Sequence, residues 1–260
     1  MTISRSISLW SQKNKKGKER TMSIVLYRSE SRGAADHGWL KSRHTFSFAN
    51  YYCPSRLNFG VLRVLNDDWV QPKMGFGTHP HDNMEIISIV LDGQLEHRDS
   101  MGTGSTIKQG EVQVMSAGSG VTHSEFNPSQ DEPVSFFQIW LFPNKKNVQP
   151  RYDQAFFDPA RLENNWEMII SPDGENQSMW IHQDAWLYLG NFDQGRQVEY
   201  HLKKPKNGVF LMVVEGEVLL EDDYVLSRRD AAGLTETGGQ LSINIKEQSK
   251  LLLLEVPMTV

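Results

Sequence analysis

The 260-residue sequence has a single cysteine, Cys53. No disulfide can form within the chain, and a reducing, cytoplasmic compartment is expected. No stretch approaches 18 consecutive apolar residues, so no membrane-spanning helix is expected. Convincing amphipathic helices are scarce. Gly75-Phe76-Gly77 and Gly118-Ser119-Gly120 lack the spacing of a dinucleotide or P-loop motif and read instead as turns. No Ser/His/Asp triad suggests itself. Positive charge is in deficit: the net charge is −5, which argues against nucleic-acid binding as the main activity.

What is present is the composition of a folded protein, 38% hydrophobic and 23% charged. The length suits one large domain or two modest ones. Basic residues concentrate in residues 1–22, where Arg5, Lys13, Lys15, Lys16, Lys18 and Arg20 face Glu19 alone. This leader is expected to be disordered. Met22, which opens the strand-like run through Tyr27, is an alternative start of the folded chain.

The body reads as all-β. Runs of β-branched, aromatic and aliphatic residues recur over 61–65, 85–91, 112–115, 134–142, 166–170, 210–214, 240–245 and 251–256. Turn signals such as Leu91-Asp92-Gly93 and Glu221-Asp222-Asp223 separate them, a pattern of sandwiches and barrels. The polar stretch 150–165 is taken as a domain boundary, dividing residues 23–150 from 151–260. A weak internal repeat supports two domains. Val90-Leu91-Asp92-Gly93 is echoed by Val214-Glu215-Gly216, and Gly110-Glu111-Val112 by Arg229-Asp230-Ala231.

Three of the chain's eight histidines form a pattern with one glutamate. His79 and His81 are two apart, as are His123 and Glu125. In a strand such pairs share a face, so two strands could offer three imidazoles and one carboxylate to one ion. That donor set suits Fe, Mn, Ni, Co, Cu or Zn rather than Ca or Mg.

The glycine-bracketed blocks around these pairs resemble the two cupin motifs, and cupins are jelly-roll β-barrels. The resemblance is closer still to the pirin family of two-domain cupins. Its carriers are His37–Leu40, His44–Ala49, Leu62–Asp68, Gly77–His81 with Met84-Glu85, Glu96–Gly102, Met115–Gly118, His123–Glu125 and Gln138–Trp140. They cover residues 24–150 densely and the second half thinly, as at His182-Gln183-Asp184. The implied fold is a bicupin, two jelly-roll barrels in tandem. The implied ligands are His79, His81, His123 and Glu125, with Fe(II) foremost. Glu85, the carboxylate of the first cupin motif, is expected behind the ligands or in a structural role. Phe48, Phe76, Met84 and Met115 are candidates for a substrate pocket. His97, with Asp99 nearby, is expected on a surface turn, with a place behind the ligands as the alternative, and His37 and His44 are assigned to structure. Aligning Gly93 with Gly216 puts Leu202 and Lys204, and Ile243 or Asn244, at the ligand positions of the second barrel, which is expected to be metal-free.

The resemblance further implies a dioxygenase that cleaves a flavonol such as quercetin with O2 and releases carbon monoxide. Glu125 would accept the proton of the substrate hydroxyl. The family also contains an iron-dependent transcriptional co-regulator. A protein-binding module in which the metal shapes a surface is therefore the alternative, and a metal-storage or stress-related cupin whose natural substrate is not a flavonol is a third.

Overall fold

A computed structural model of the chain describes residues 7–13 and 19–260. Strands dominate. Helix among the described residues is limited to Pro159–Leu162 and two short 3-10 segments, Ser29–Ser31 and Glu175–Gln177. The chain divides into two compact units. One holds Arg32–Pro159 and Ile169–Asp184; the other holds Ala160–Met168, Ala185–Val260 and the chain up to Ser31.

The first unit is a jelly-roll-type pairing of two antiparallel sheets. Seven strands run in the spatial order Arg151–Phe156, Glu111–Ser116, Glu85–Asp92, Val134–Leu141, Leu62–Val70, Leu40–His44, Gly33–Asp36. Four more run in the order Gly75–His81, Val121–Phe126, Gln94–Asp99, Gly104–Lys108. Leu40, Val70, Val90, Leu95, Ile107, Val134 and Phe136 form a buried apolar cluster drawn from both sheets. Each such side chain contributes about 1.5–3 kcal/mol on burial.

The second unit repeats the plan. Glu19–Tyr27 pairs with Ala231–Thr235, which leads through Gly208–Glu215 and Ser249–Val256 to Trp186–Phe192. A four-stranded sheet of Gln197–His201, Gln240–Ile245, Glu217–Leu220 and Tyr224–Ser227 completes it. The repeat read from sequence corresponds to shared backbone geometry. Gly93 and Gly216 each join two strands with positive φ, 78° and 89°. Gly110 and Arg229 also share that conformation, at 86° and 66°.

Three expectations are corrected. The boundary does not fall at 150/151. Arg151–Phe156 pairs with Glu111–Ser116 and so belongs to the first unit. The basic leader is not featureless where it is described: Ile7–Lys13 pairs with Glu19–Val25. Through Glu19–Tyr27 it extends a sheet whose edge would otherwise leave backbone groups unpaired. Residues 1–6 and 14–18 lie outside the described residues. Finally, Gly75 and Gly77 are strand residues, not a turn. At Gly75 the reason is close approach, because a Cβ there would press on the Glu125 carbonyl and the Phe126 backbone.

Candidate metal centre

Gly75–His81 and Val121–Phe126 run antiparallel, with His79 directly opposite His123. The strand alternation turns His79 and His81 to the inside, where His123 also points; His123 is 1% exposed. Ring centroids lie 4.5 Å apart for His79 and His123, and 4.8 Å apart for His81 and each of the other two. The potential donor atoms of the three rings fall within 4.8 Å of one another.

These rings fit a cation. His79 Nδ1 donates to the Gly77 carbonyl at 2.8 Å, which leaves its Nε2 with a lone pair. His81 Nε2 is buried without a hydrogen-bond partner. Burial, reinforced by His79, pulls the His81 pKa down to about 4. Burial and then its neighbours His79, His81 and His97 pull His123 down to about 2. Both rings are therefore neutral at pH 7, as ligation requires. Asn, Gln or backbone donors would answer such lone pairs in a structural site; here nitrogen faces nitrogen, with His79 Nε2 and His123 Nε2 3.0 Å apart.

Glu125 stands apart from two of its expected partners. The strand register slips between His123 and Glu125. The carboxylate groups with His123 and His97 rather than with His79 and His81. It is 2% exposed, accepting from Gln138 Nε2 at 2.8 Å and from Ser88 Oγ at 3.2 Å. Burial raises its pKa, and His97, Gln138 and Ser88 oppose that rise.

Glu85 is turned away. It sits one residue from Ile86, on the opposite face of its strand, and accepts from Ser116 Oγ at 2.7 Å. Burial raises its carboxyl pKa, against hydrogen bonds from Ser116 and the His182 backbone. It anchors the segment around His182 and takes no part in the histidine cluster.

The four pocket candidates divide as well. Met84 and Met115 join Ile86, Ala117, Val121 and Trp140 in an apolar cluster. Trp140 stands edge-on to His81 at 4.9 Å, so this cluster walls the histidines. Phe48 lies behind it, edge-on to Trp140 at 5.3 Å. Phe76 packs instead into the core with Trp39. An open cleft of about 640 Å³, lined by Pro80, His81, Asp82, Ser100, Val121 and Thr122 among others, reaches His81 from outside.

Sequence reasoning misplaced His97. It is fully buried, between His123 and Asp99, not on a surface turn. It also passed over Ser88, Gln138 and Trp140. The signal for His97 was available in the same spacing rule that singled out His79 with His81 and His123 with Glu125, since His97 and Asp99 are two apart in one strand. In the second unit the corresponding strands turn Tyr200, Leu241 and Ile243 inward. His201 points outward, its side chain 70% exposed.

Two family models match the chain: Pirin over residues 27–141 and the quercetinase C-terminal cupin domain over residues 168–256. Quercetin 2,3-dioxygenase of Escherichia coli K12 is 40% identical, over 90% of this chain and 99% of its own length. A pirin-like protein of Caulobacter vibrioides is 37% identical over 86% of this chain and 95% of its own. Among solved structures, the E. coli bacterial pirin YhhW in complex with nickel(II) superposes with a TM-score of 0.86 at 39% identity, covering 91% of this chain and all of that one.

Proposed function

This chain belongs to the pirin family, and from that premise we propose that it is a metal-dependent dioxygenase of the quercetin 2,3-dioxygenase type. The observation that carries the reading is the convergence of His79, His81 and His123 beside the buried carboxylate of Glu125. The three histidines would hold one divalent transition metal, with Glu125 as a further ligand. The nickel(II) complex of the E. coli relative makes nickel as good a candidate as iron. The proposed substrates are a flavonol such as quercetin and O2.

A metal held by His79, His81 and His123 would supply Lewis acidity toward the substrate hydroxyl and redox chemistry toward dioxygen. The remaining work falls to the chain. Glu125 accepts the proton of the flavonol 3-hydroxyl at a carboxylate oxygen. Gln138 and Ser88 hold that carboxylate from behind, fixing where the proton is received. Met84, Val121 and Trp140, backed by the fully buried Met115, present an apolar wall that keeps water from the aromatic rings of the substrate.

The test is carbon monoxide release from quercetin under air, using protein loaded with Fe(II), Ni(II) or Mn(II), beside His79→Ala. Bleaching of quercetin is not sufficient, because quercetin oxidises unaided. Metal-dependent carbon monoxide that disappears in the variant is the expected result. None from fully loaded protein would reject quercetinase activity.

A further inference from the structure

The histidine cluster has fewer protons than hydrogen-bonding positions. His79 Nδ1 faces the Gly77 carbonyl, which can only accept, so the ring's proton is there and its Nε2 is bare. His97 Nε2 lies 3.1 Å from Asp99 Oδ2, both side chains being fully buried. The other Asp99 oxygen, Oδ1, accepts the backbone N–H groups of Met101 and Thr103 at 2.9 and 3.0 Å. The carboxylate therefore takes a His97 proton on Nε2, and in the neutral ring that leaves Nδ1 bare. Tyr152 lies against the His97 ring, with centroids 4.7 Å apart, and fixes its plane.

His123 sits between these two lone pairs. Its Nε2 is 3.0 Å from His79 Nε2, and its Nδ1 is 3.4 Å from His97 Nδ1. A neutral imidazole has one N–H, so it can answer only one of them. A proton on Nε2 would cap His79 and remove a lone pair from the cluster. A proton on Nδ1 points to His97 and leaves the His123 Nε2 free beside His79 and His81.

We infer that Asp99 and His97 are positioning residues: by presenting a bare Nδ1 to His123 they hold that ring's proton on Nδ1 and keep its Nε2 available as a ligand. The inference rests on the metal reading of His79, His81 and His123. Partners of this kind orient ligating histidines in metalloproteins generally. Here the chain has two links, carboxylate to imidazole to imidazole. It is assembled by register, since Asp99 lies opposite His123 and His97 opposite Glu125.

Asp99→Asn tests it with little change of shape. The amide oxygen keeps the Met101 and Thr103 bonds, and the NH2 group then faces His97 Nε2. His97 must move its proton to Nδ1, and His123 must move its own to Nε2. In the zinc(II)-loaded full-length protein, side-chain 15N NMR is expected to find His97 protonated on Nε2 and His123 on Nδ1. Asp99→Asn is expected to move the His97 proton to Nδ1 and to weaken zinc affinity ten- to a hundredfold in chelator competition, on the scale of other such partners. A second pair of variants guards against misfolding. His97→Gln can still accept the His123 proton and should bind zinc at least tenfold more tightly than His97→Leu.

Zinc affinity of Asp99→Asn within twofold of wild type would overturn the inference while leaving the metal reading intact. So would His97 protonated on Nδ1 in the wild type. Two zinc ions per chain, one lost in His97→Leu, would overturn it too, by making His97, His123 and Glu125 a site of their own. A wild-type protein that binds no zinc and no nickel would sink the metal reading and this inference together.

Discussion

Glu125 is a carboxylate with both oxygens occupied, one by an amide and one by a hydroxyl. Neither donor carries charge, so the group stays responsive to a proton arriving from a substrate. Glu125→Gln keeps the size and removes that capacity. Carbon monoxide release by metal-saturated protein should fall about 10²–10⁴-fold, the usual worth of a general base. His79→Ala, by contrast, should lose the metal itself, which a metal titration of the two variants separates. At this scale the sequence was readable where two polar residues of known chemistry stood two apart in one strand. His79 with His81, and His123 with Glu125, are such pairs. His97 also has such a partner, Asp99, in its own strand, but what sets it against the site lies across strands, in His123 and in Tyr152, the latter 55 residues away.

The strand is the scale at which the barrel interior becomes polar. His44, Asn66, Gln138, Ser88 and Gln113 are successive cross-strand partners in one row over the seven-stranded sheet. All five are buried. Ser88, Gln113 and Gln138 each look incidental, a polar residue between apolar neighbours in its own strand, and only the register aligns all five. Ser42 and Asp68 begin the adjacent row. Burial pushes the Asp68 pKa up to about 7, with Asp67 and Glu125 adding to the rise. An unfolded Asp titrates near 3.9, so between roughly pH 4 and 7 the folded chain binds the extra proton. Stability from this group is therefore highest below pH 4 and falls as pH rises to 7, by up to about 4 kcal/mol. Asp68→Asn should flatten that slope, which urea unfolding at pH 4.5 and pH 8 would reveal as midpoints closer together than in the wild type. Gly75 belongs to this scale too. Gly75→Ala drives a methyl group into the strand carrying His123 and Glu125. A loss of about 1–3 kcal/mol is expected, together with weaker nickel binding, read by thermal melting with and without the metal.

At the scale of the molecule, one plan is used twice, and among the described residues only the first copy brings histidines together in a cluster that could hold a metal. The fold class and the doubling were legible because strand runs and glycine turns recur. The boundary was not, because Arg151–Phe156 looks polar and irregular until it is paired with Glu111–Ser116. In the second unit the fully buried carboxylate, Glu255, has a structural set of partners. Glu255 accepts from Tyr200 Oη, the backbone N–H groups of Lys203 and Lys204, and Asn207 Nδ2, at 2.6 to 2.9 Å. No histidine shares that cluster. The protein should therefore bind one nickel ion per chain by elemental analysis, and His201→Ala should leave that ratio unchanged. A ratio of two, falling to one in His201→Ala, would place a second site in this unit.

The strand Glu19–Tyr27 leaves the ribosome well before Ala231–Thr235, the strand it pairs with, is made. Arg28 likewise closes on Asp230 at 2.7 Å. Synthesis thus delivers the ligand-bearing strands with all their partners while the other barrel still waits for its final residues. Folding by this order protects the chemistry from the slowest step, since pairing across some two hundred residues is costly in loop entropy. It also makes the amino terminus a vulnerable handle. Bulk attached near Glu19, or removal of the strand, would uncover the Ala231–Thr235 edge and invite aggregation through it, with the histidine centre, in the other unit, left whole.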